Sequence, residues 1–220
     1  MASYPTFQKK IQRAEGGYQR LKTDSGNYNS LKQLVGTNFG VSAKVYERNI
    51  GRPPSIADMK NITQQIAHTI FKNQFWDSIN ADKITSQAIA ETFADHAINA
   101  SPKRATIIIQ RTLNNAFNKK LLEDGIAGAK TILAINSVDA KELFNAYSQA
   151  RKSYYSSLRD CKHFCHVWHR RVDELATDHN ISINKPVHGL SKKKPKNNLW
   201  FDNNCWSNIF SNEKINLTKH

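Results

Sequence analysis

The chain has 220 residues, room for one medium domain with an appendage, and its 39% apolar content can build a core. No stretch approaches the ~18 apolar residues of a membrane helix, and the start, MASYPTFQKK, lacks the charged and apolar regions of a secretory signal. The net charge is +14, of which +5 lies beyond residue 184, so the excess is general and favours a polyanionic partner: nucleic acid, anionic lipid or anionic wall polymer.

The first helix is predicted over residues 6–14, with Phe7, Ile11 and Ala14 on its buried stripe. Glu15 follows on the same side, and Gly16 and Gly17 can take positive φ to end the helix behind it. Desolvation and the negative end of the helix dipole would both raise the Glu15 pKa, which suits a general acid. The alternative is an exposed terminal turn. Residues 16–41 are rich in Gly, Asn, Ser and Asp and read as a long loop or irregular hairpin. Loops of this length in a compact domain are usually functional.

A helix is expected over Ser42–Asn49, broken by Gly51-Arg52-Pro53-Pro54. Ser55 and Asp58 then form a capping-box pattern, opening a helix that carries Ile62, Ile66, Ile70 and Phe71 and ends near Trp76. Residues 82–99 read as a largely buried central helix. Pro102 opens another, with Ala105, Ile108, Ile109, Leu113 and Phe117 recurring. A turn at Asp124-Gly125 precedes a short helix from Gly128 to Ile135. A long helix follows from Asp139 to about Ser157, with Leu143, Phe144, Tyr147, Ala150 and Tyr154 on its apolar side. The last runs over Asp160–Asp178. The fold class is therefore mainly α.

Residues 185–198 read as a basic linker, a solvated tether centred on Lys192-Lys193-Lys194-Pro195-Lys196. Beyond it Trp200, Phe201, Trp206, Ile209 and Phe210 suggest a short amphipathic helix that docks on the main domain or on a partner of the 199–210 tail. The odd, sparse cysteines (Cys161, Cys165 and Cys205) argue against a disulfide scaffold and fit a reducing compartment. On paper Cys161, Cys165, His166 and His169 resemble metal ligands, but zinc sites draw ligands from separate turns, and no metal is expected.

Several motifs occur in a fixed order: Glu15-Gly16-Gly17-Tyr18, Asp24-Ser25-Gly26-Asn27-Tyr28-Asn29, Gly36-Thr37-Asn38-Phe39-Gly40-Val41-Ser42, Phe75-Trp76-Asp77 and Asp95-His96-Ala97-Ile98-Asn99. Gln110, Leu113, Asp124-Gly125, Gly128 and Thr131 continue it. Over about residues 4–135 this succession resembles glycoside hydrolase family 108, the lysozyme-like N-acetylmuramidases. Tyr154-Tyr155, Phe164, Trp168, Arg171 and Val172 resemble the aromatic and basic positions of the helical peptidoglycan-binding module that accompanies the family.

The resemblance implies a lysozyme-like helical domain with a small loop or hairpin region and a C-terminal helical extension. Its parts would be a catalytic region over 1–100, a peptidoglycan-binding module over 101–180, and the linker and tail over 185–220. It implies cleavage of the β-1,4 bond between N-acetylmuramic acid and N-acetylglucosamine, with no cofactor. Glu15 would be the proton donor. Asp24, nine residues on and read as solvated and ionised, would activate water or stabilise positive charge; its ordinary alternative is a turn residue. Thr37 would hold the attacking water, against a plain role in capping or strand pairing, and the long segment from Asp24 to Thr37 sets this chain apart from many relatives.

Tyr18 and Trp76 are candidate sugar-stacking platforms, although buried aromatics are more often core. Asp95 and Asn99, polar on an apolar helix, would either bridge to the 16–41 loop or bond substrate, with Glu91 as a reserve carboxylate. The partner expected is the peptidoglycan glycan strand, reached from the bacterial cytoplasm by release, export or particle delivery, as for an endolysin. The competing expectations are an inactive wall-binding or structural component of a phage particle or secretion machine, and a nucleic-acid binder driven by charge alone. No nucleic-acid-binding signature supports the last.

Overall fold

A computed structural model describes residues 1–14, 16–158 and 161–183. The linker, the aromatic tail, Cys205 and Glu15 lie outside the described residues. Nine α-helices are present among those described: α1 (Tyr4–Ala14), α2 (Ala43–Ile50), α3 (Ile56–Lys60), α4 (Gln64–Phe71), α5 (Gln87–Ala100), α6 (Pro102–Phe117), α7 (Ala129–Asn136), α8 (Ala140–Ser156) and α9 (Cys161–Asp178). The fold is mainly α, as the periodicity predicts. No described helix is long and apolar enough to cross a membrane.

The chain forms two compact units, one of Pro5–Phe71 and the other of Met1–Tyr4 with the described residues from Lys72 onward. In the first, α1 buries Phe7 and Ile11, and α2 to α4 bury Val45, Met59, Ala67, Ile70 and Phe71. The irregular hairpin between α1 and α2 has three isolated antiparallel bridges: Gln19 with Thr37, Tyr28 with Leu34, and Asn38 with Val41. The capping box at Ser55 and Asp58 is present, and Arg52 grips the same carboxylate through both terminal nitrogens at 2.9 Å.

The single helix expected from Ser55 to Trp76 is divided. α3 ends at Lys60 with Asn61 as its C-cap, the Thr63 hydroxyl accepts the Ile66 amide to start α4, and a π-helical turn over Lys72–Trp76 ends the run. Apolar spacing carried the pattern across a break that capping side chains impose.

In the second unit α5 packs against α6, α8 and α9. It is shorter than the 82–99 reading. Ala81–Lys83 is a 3₁₀ turn, Ile84 is extended and accepts the Ala2 amide at 2.7 Å, and Ser86 caps the helix proper. Ile84 is buried all the same, so burial mimicked helical periodicity. On α8 the buried stripe is Leu143, Phe144, Tyr147, Ser148, Arg151 and Tyr155; Tyr154, placed there by the sequence reading, is only half-buried. Cys161 and Cys165 form a disulfide across one turn of α9, although the odd, sparse count argues against a disulfide scaffold. Residues four apart on a helix share a face, which brings their sulfurs together.

Candidate active site

The first unit carries the loop in which sequence reasoning placed the chemistry. α1 ends at Ala14. Gly17 follows without a positive φ and with open space around its Cα, so the left-handed exit expected there is not used at Gly17. The Tyr18 hydroxyl donates to Val35 O at 2.9 Å, and Lys60 Nζ lies 5.4 Å from its ring centre. Gly36 faces the same ring. A Cβ there would stand 2.6 Å from Tyr18 Cε2 and 2.7 Å from Gln19 O, and φ is +100°, so glycine is required by both contact and backbone.

Asp24 is buried, only 4% exposed, which corrects the expectation of a solvated carboxylate. Its Oδ1 accepts the Gly26 amide at 2.8 Å, capping the 3₁₀ turn Ser25–Asn27, so the turn role is real. Its Oδ2 accepts Gln19 Nε2 at 3.0 Å. Composition misled because small polar residues can satisfy one another inside a loop as readily as they face water.

Thr37 pairs with Gln19 through the backbone in both directions, each N–H···O at 2.9 Å. Its own hydroxyl, at a residue 8% exposed, is buried without a hydrogen-bond partner. Gln19 therefore touches both residues. Its side chain further donates to Asn27 Oδ1 at 3.1 Å and accepts from Asn27 Nδ2 at 2.9 Å and the Leu21 amide at 3.1 Å. Sequence reasoning missed Gln19; the only available signal was its place between Tyr18 and Asp24.

The remaining sequence-predicted residues lie in the second unit. Trp76 is fully buried, donates Nε1–H to Asp82 at 2.6 Å and meets Tyr4 edge-on at 5.6 Å between ring centres. Asp95 is buried and receives Arg151 Nη2 on Oδ2 and Arg171 Nε on Oδ1, both at 2.5 Å. Its bridge thus runs to α8 and α9, where the sequence reading had the 16–41 loop. Arg151, wholly buried, also donates to Thr92 O at 3.1 Å, to the Thr92 hydroxyl at 2.7 Å and to the Tyr155 hydroxyl at 3.3 Å.

Burial pushes the Asp95 carboxyl up, but the two guanidiniums outweigh it and hold the pKa below its ordinary value. Asn99 Nδ2 donates to Asp95 O at 2.7 Å. Glu91, fully buried, accepts His179 Nε2 at 2.7 Å and Gln87 Nε2 at 2.8 Å. Beside this network His96 Nδ1 meets the Tyr147 hydroxyl at 2.7 Å, and burial, then Arg151 and Arg104, drive the imidazole pKa well down.

The Gln110 to Thr131 motif is a loop clasp. Gln110 Nε2 donates to Asp124 at 2.9 Å, Thr131 at 3.1 Å and Ile126 O at 3.2 Å, while its Oε1 accepts the Gly125 amide at 3.0 Å. No group of three His, Cys, Asp or Glu among the described residues could hold a metal ion, and the Cys161 and Cys165 sulfurs are bonded to each other.

These helices define a lysozyme-like helical protein. Residues 8–100 match the family described as glycosyl hydrolase 108, and residues 104–173 match the one described as a predicted peptidoglycan domain. The chain thus carries a stretch similar to glycosyl hydrolase 108 followed by one similar to a peptidoglycan domain, a pairing that supports peptidoglycan hydrolase activity and binding to peptidoglycan. Among solved structures, Brucella abortus SagA is similar in fold, with a TM-score of 0.70 at 24% identity over 83% of this chain and 98% of that chain. No curated protein matches.

Proposed function

We propose that the protein is an N-acetylmuramidase that hydrolyses the β-1,4 bond between N-acetylmuramic acid and N-acetylglucosamine. Glu15 protonates the leaving oxygen, Asp24 activates water or stabilises the oxocarbenium-like centre, and Thr37 holds the water. The observation that carries this reading is the Thr37 hydroxyl. A buried hydroxyl left without a partner is unfavourable by roughly 1–3 kcal/mol, and a bound water or substrate group would satisfy it. Its backbone partner, Gln19, holds Asp24 through its side chain.

Residues 1–100 supply the catalytic region, 101–180 the wall-binding module and 185–220 a tether with a docking tail. Tyr18, half-buried, is the sugar platform of this reading. Trp76, Asp95 and Asn99 contribute through the scaffold that orders the second unit. The positive charge concentrates the enzyme on anionic wall, an effect weakened by salt.

Wall digestion by wild type beside Glu15→Gln tests the proposal. Wild type is expected to release fragments with reducing muramic ends, and the variant to bind wall without lysing it. Lysis retained by Glu15→Gln refutes the acid assignment, and anhydro ends make the enzyme a lytic transglycosylase.

A further inference from the structure

Gln19 joins the two residues assigned above to the water. Its backbone is paired in both directions with Thr37, so its Cα is fixed relative to that residue. Its side chain is fixed as well, because Oε1 is held by the Leu21 amide and by Asn27 Nδ2. Those two contacts orient the amide so that Nε2 points at Asp24 Oδ2, at 3.0 Å, and at Asn27 Oδ1, at 3.1 Å.

The second Asp24 oxygen is bound by the Gly26 amide at 2.8 Å. An ionised carboxylate only accepts hydrogen bonds, and both of its oxygens have a donor here. One donor is backbone and indifferent to mutation; the other is Gln19. The flanking charged residues of the loop, Arg20 and Lys22, are exposed, and neither bonds Asp24. On the side of α2 the neighbour of this turn is Ser42, whose Cβ would lie 3.5 Å from a Cβ added at Gly26, and whose hydroxyl caps Val45.

We infer that Gln19 is a positioning residue of the proposed hydrolase, clamping the Asp24 carboxylate in fixed register with Thr37. The inference rests on the reading of Asp24 and Thr37 given above. Gln19 touches no reacting atom. It acts by setting where one oxygen of Asp24 lies, and a misplacement of about 1 Å at such a group can lower turnover on the order of 100-fold.

Two variants test it, with steady-state hydrolysis of soluble wall fragments and thermal melting measured on the full chain. Gln19→Met keeps the length and removes the donor; kcat is expected to fall roughly 10- to 100-fold while KM changes less than about twofold. Gln19→Glu keeps the shape and sets a second carboxylate against Asp24. Like charges at that distance share a proton, so the acidic limb of the kcat profile is expected to move to higher pH. A purely structural role would lower the rate equally at all pH values and leave that limb in place.

Wild-type kcat in Gln19→Met, or an unmoved acidic limb in Gln19→Glu, overturns the inference while Asp24→Asn remains inactive. If Asp24→Asn keeps the wild-type rate, the reading of Asp24 fails and takes this inference with it.

Discussion

Replacing Asp95 by alanine would leave the Arg151 guanidinium in a site with no exposure to water and without its nearest anion. Thr92 O, the Thr92 hydroxyl and the Tyr155 hydroxyl would remain as acceptors, but none of them is charged. Removing one partner of a buried pair destabilises by roughly 3–5 kcal/mol because the other charge stays uncompensated. At about 2–4 °C per kcal/mol for a chain of this length, the melting temperature should fall by roughly 6–20 °C. Scanning calorimetry reads this directly. The pair Asp95→Ala with Arg151→Met should recover part of the loss, since it removes both charges from the interior.

The same contact dictates a pH dependence. Asp95 has a folded-state pKa below its ordinary value near ~3.9. Its stabilisation is therefore complete above that ordinary value and disappears as pH falls through the folded one. A melting temperature lowered by less than about 3 °C in Asp95→Ala, or a double variant no better than the single, would refute the account of α5, α8 and α9 as held by this charge network.

Thr37→Val removes the unpartnered hydroxyl at nearly constant volume; the melting temperature should hold or rise while kcat falls at least roughly 10-fold, and a lower melting temperature with intact kcat would show the hydroxyl to be structural. His96, with its pKa well down in the folded state, stays neutral while the unfolded chain takes up a proton below about 6.5. Wild type should therefore lose stability from pH 7 to pH 5 more steeply than His96→Gln, as urea midpoints at each pH would reveal.

Helix positions were legible in the sequence because each depends on local spacing and a cap. Ser55 with Asp58, Pro102 at the head of α6, and Asp139 ahead of α8 all mark real starts. The Ser55–Trp76 run was misread at a local cap, and two further errors arose where a tertiary contact decides. Ile84 is buried through an extended segment joined to Ala2, and Arg151 lies inside because Asp95 and Thr92 meet it there. Neither an apolar count nor a charge count can foresee a buried arginine. In the candidate site, the residue types of Asp24 and Thr37 could be read off the motifs, but their burial could not. Gln19 was invisible for a further reason: its contacts reach Thr37, eighteen positions away, through the backbone, where side-chain identity leaves no mark.

Several buried polar groups of this protein complete their bonding within the chain, the Asp24 carboxylate of the candidate site included. Both Asp95 oxygens are taken, and the Gln110 amide is bonded at both ends. Thr37 Oγ1 is one of several buried side-chain atoms without a partner among the described residues, which also include His96 Nε2, Asn145 Oδ1, Ser148 Oγ and Arg151 Nε. His96 and Arg151 satisfy their remaining nitrogens within the protein. Thr37 has spent its amide and carbonyl on Gln19, and no helical carbonyl stands behind its hydroxyl. In the proposed hydrolase, a bound water would be the smallest partner to satisfy that hydroxyl.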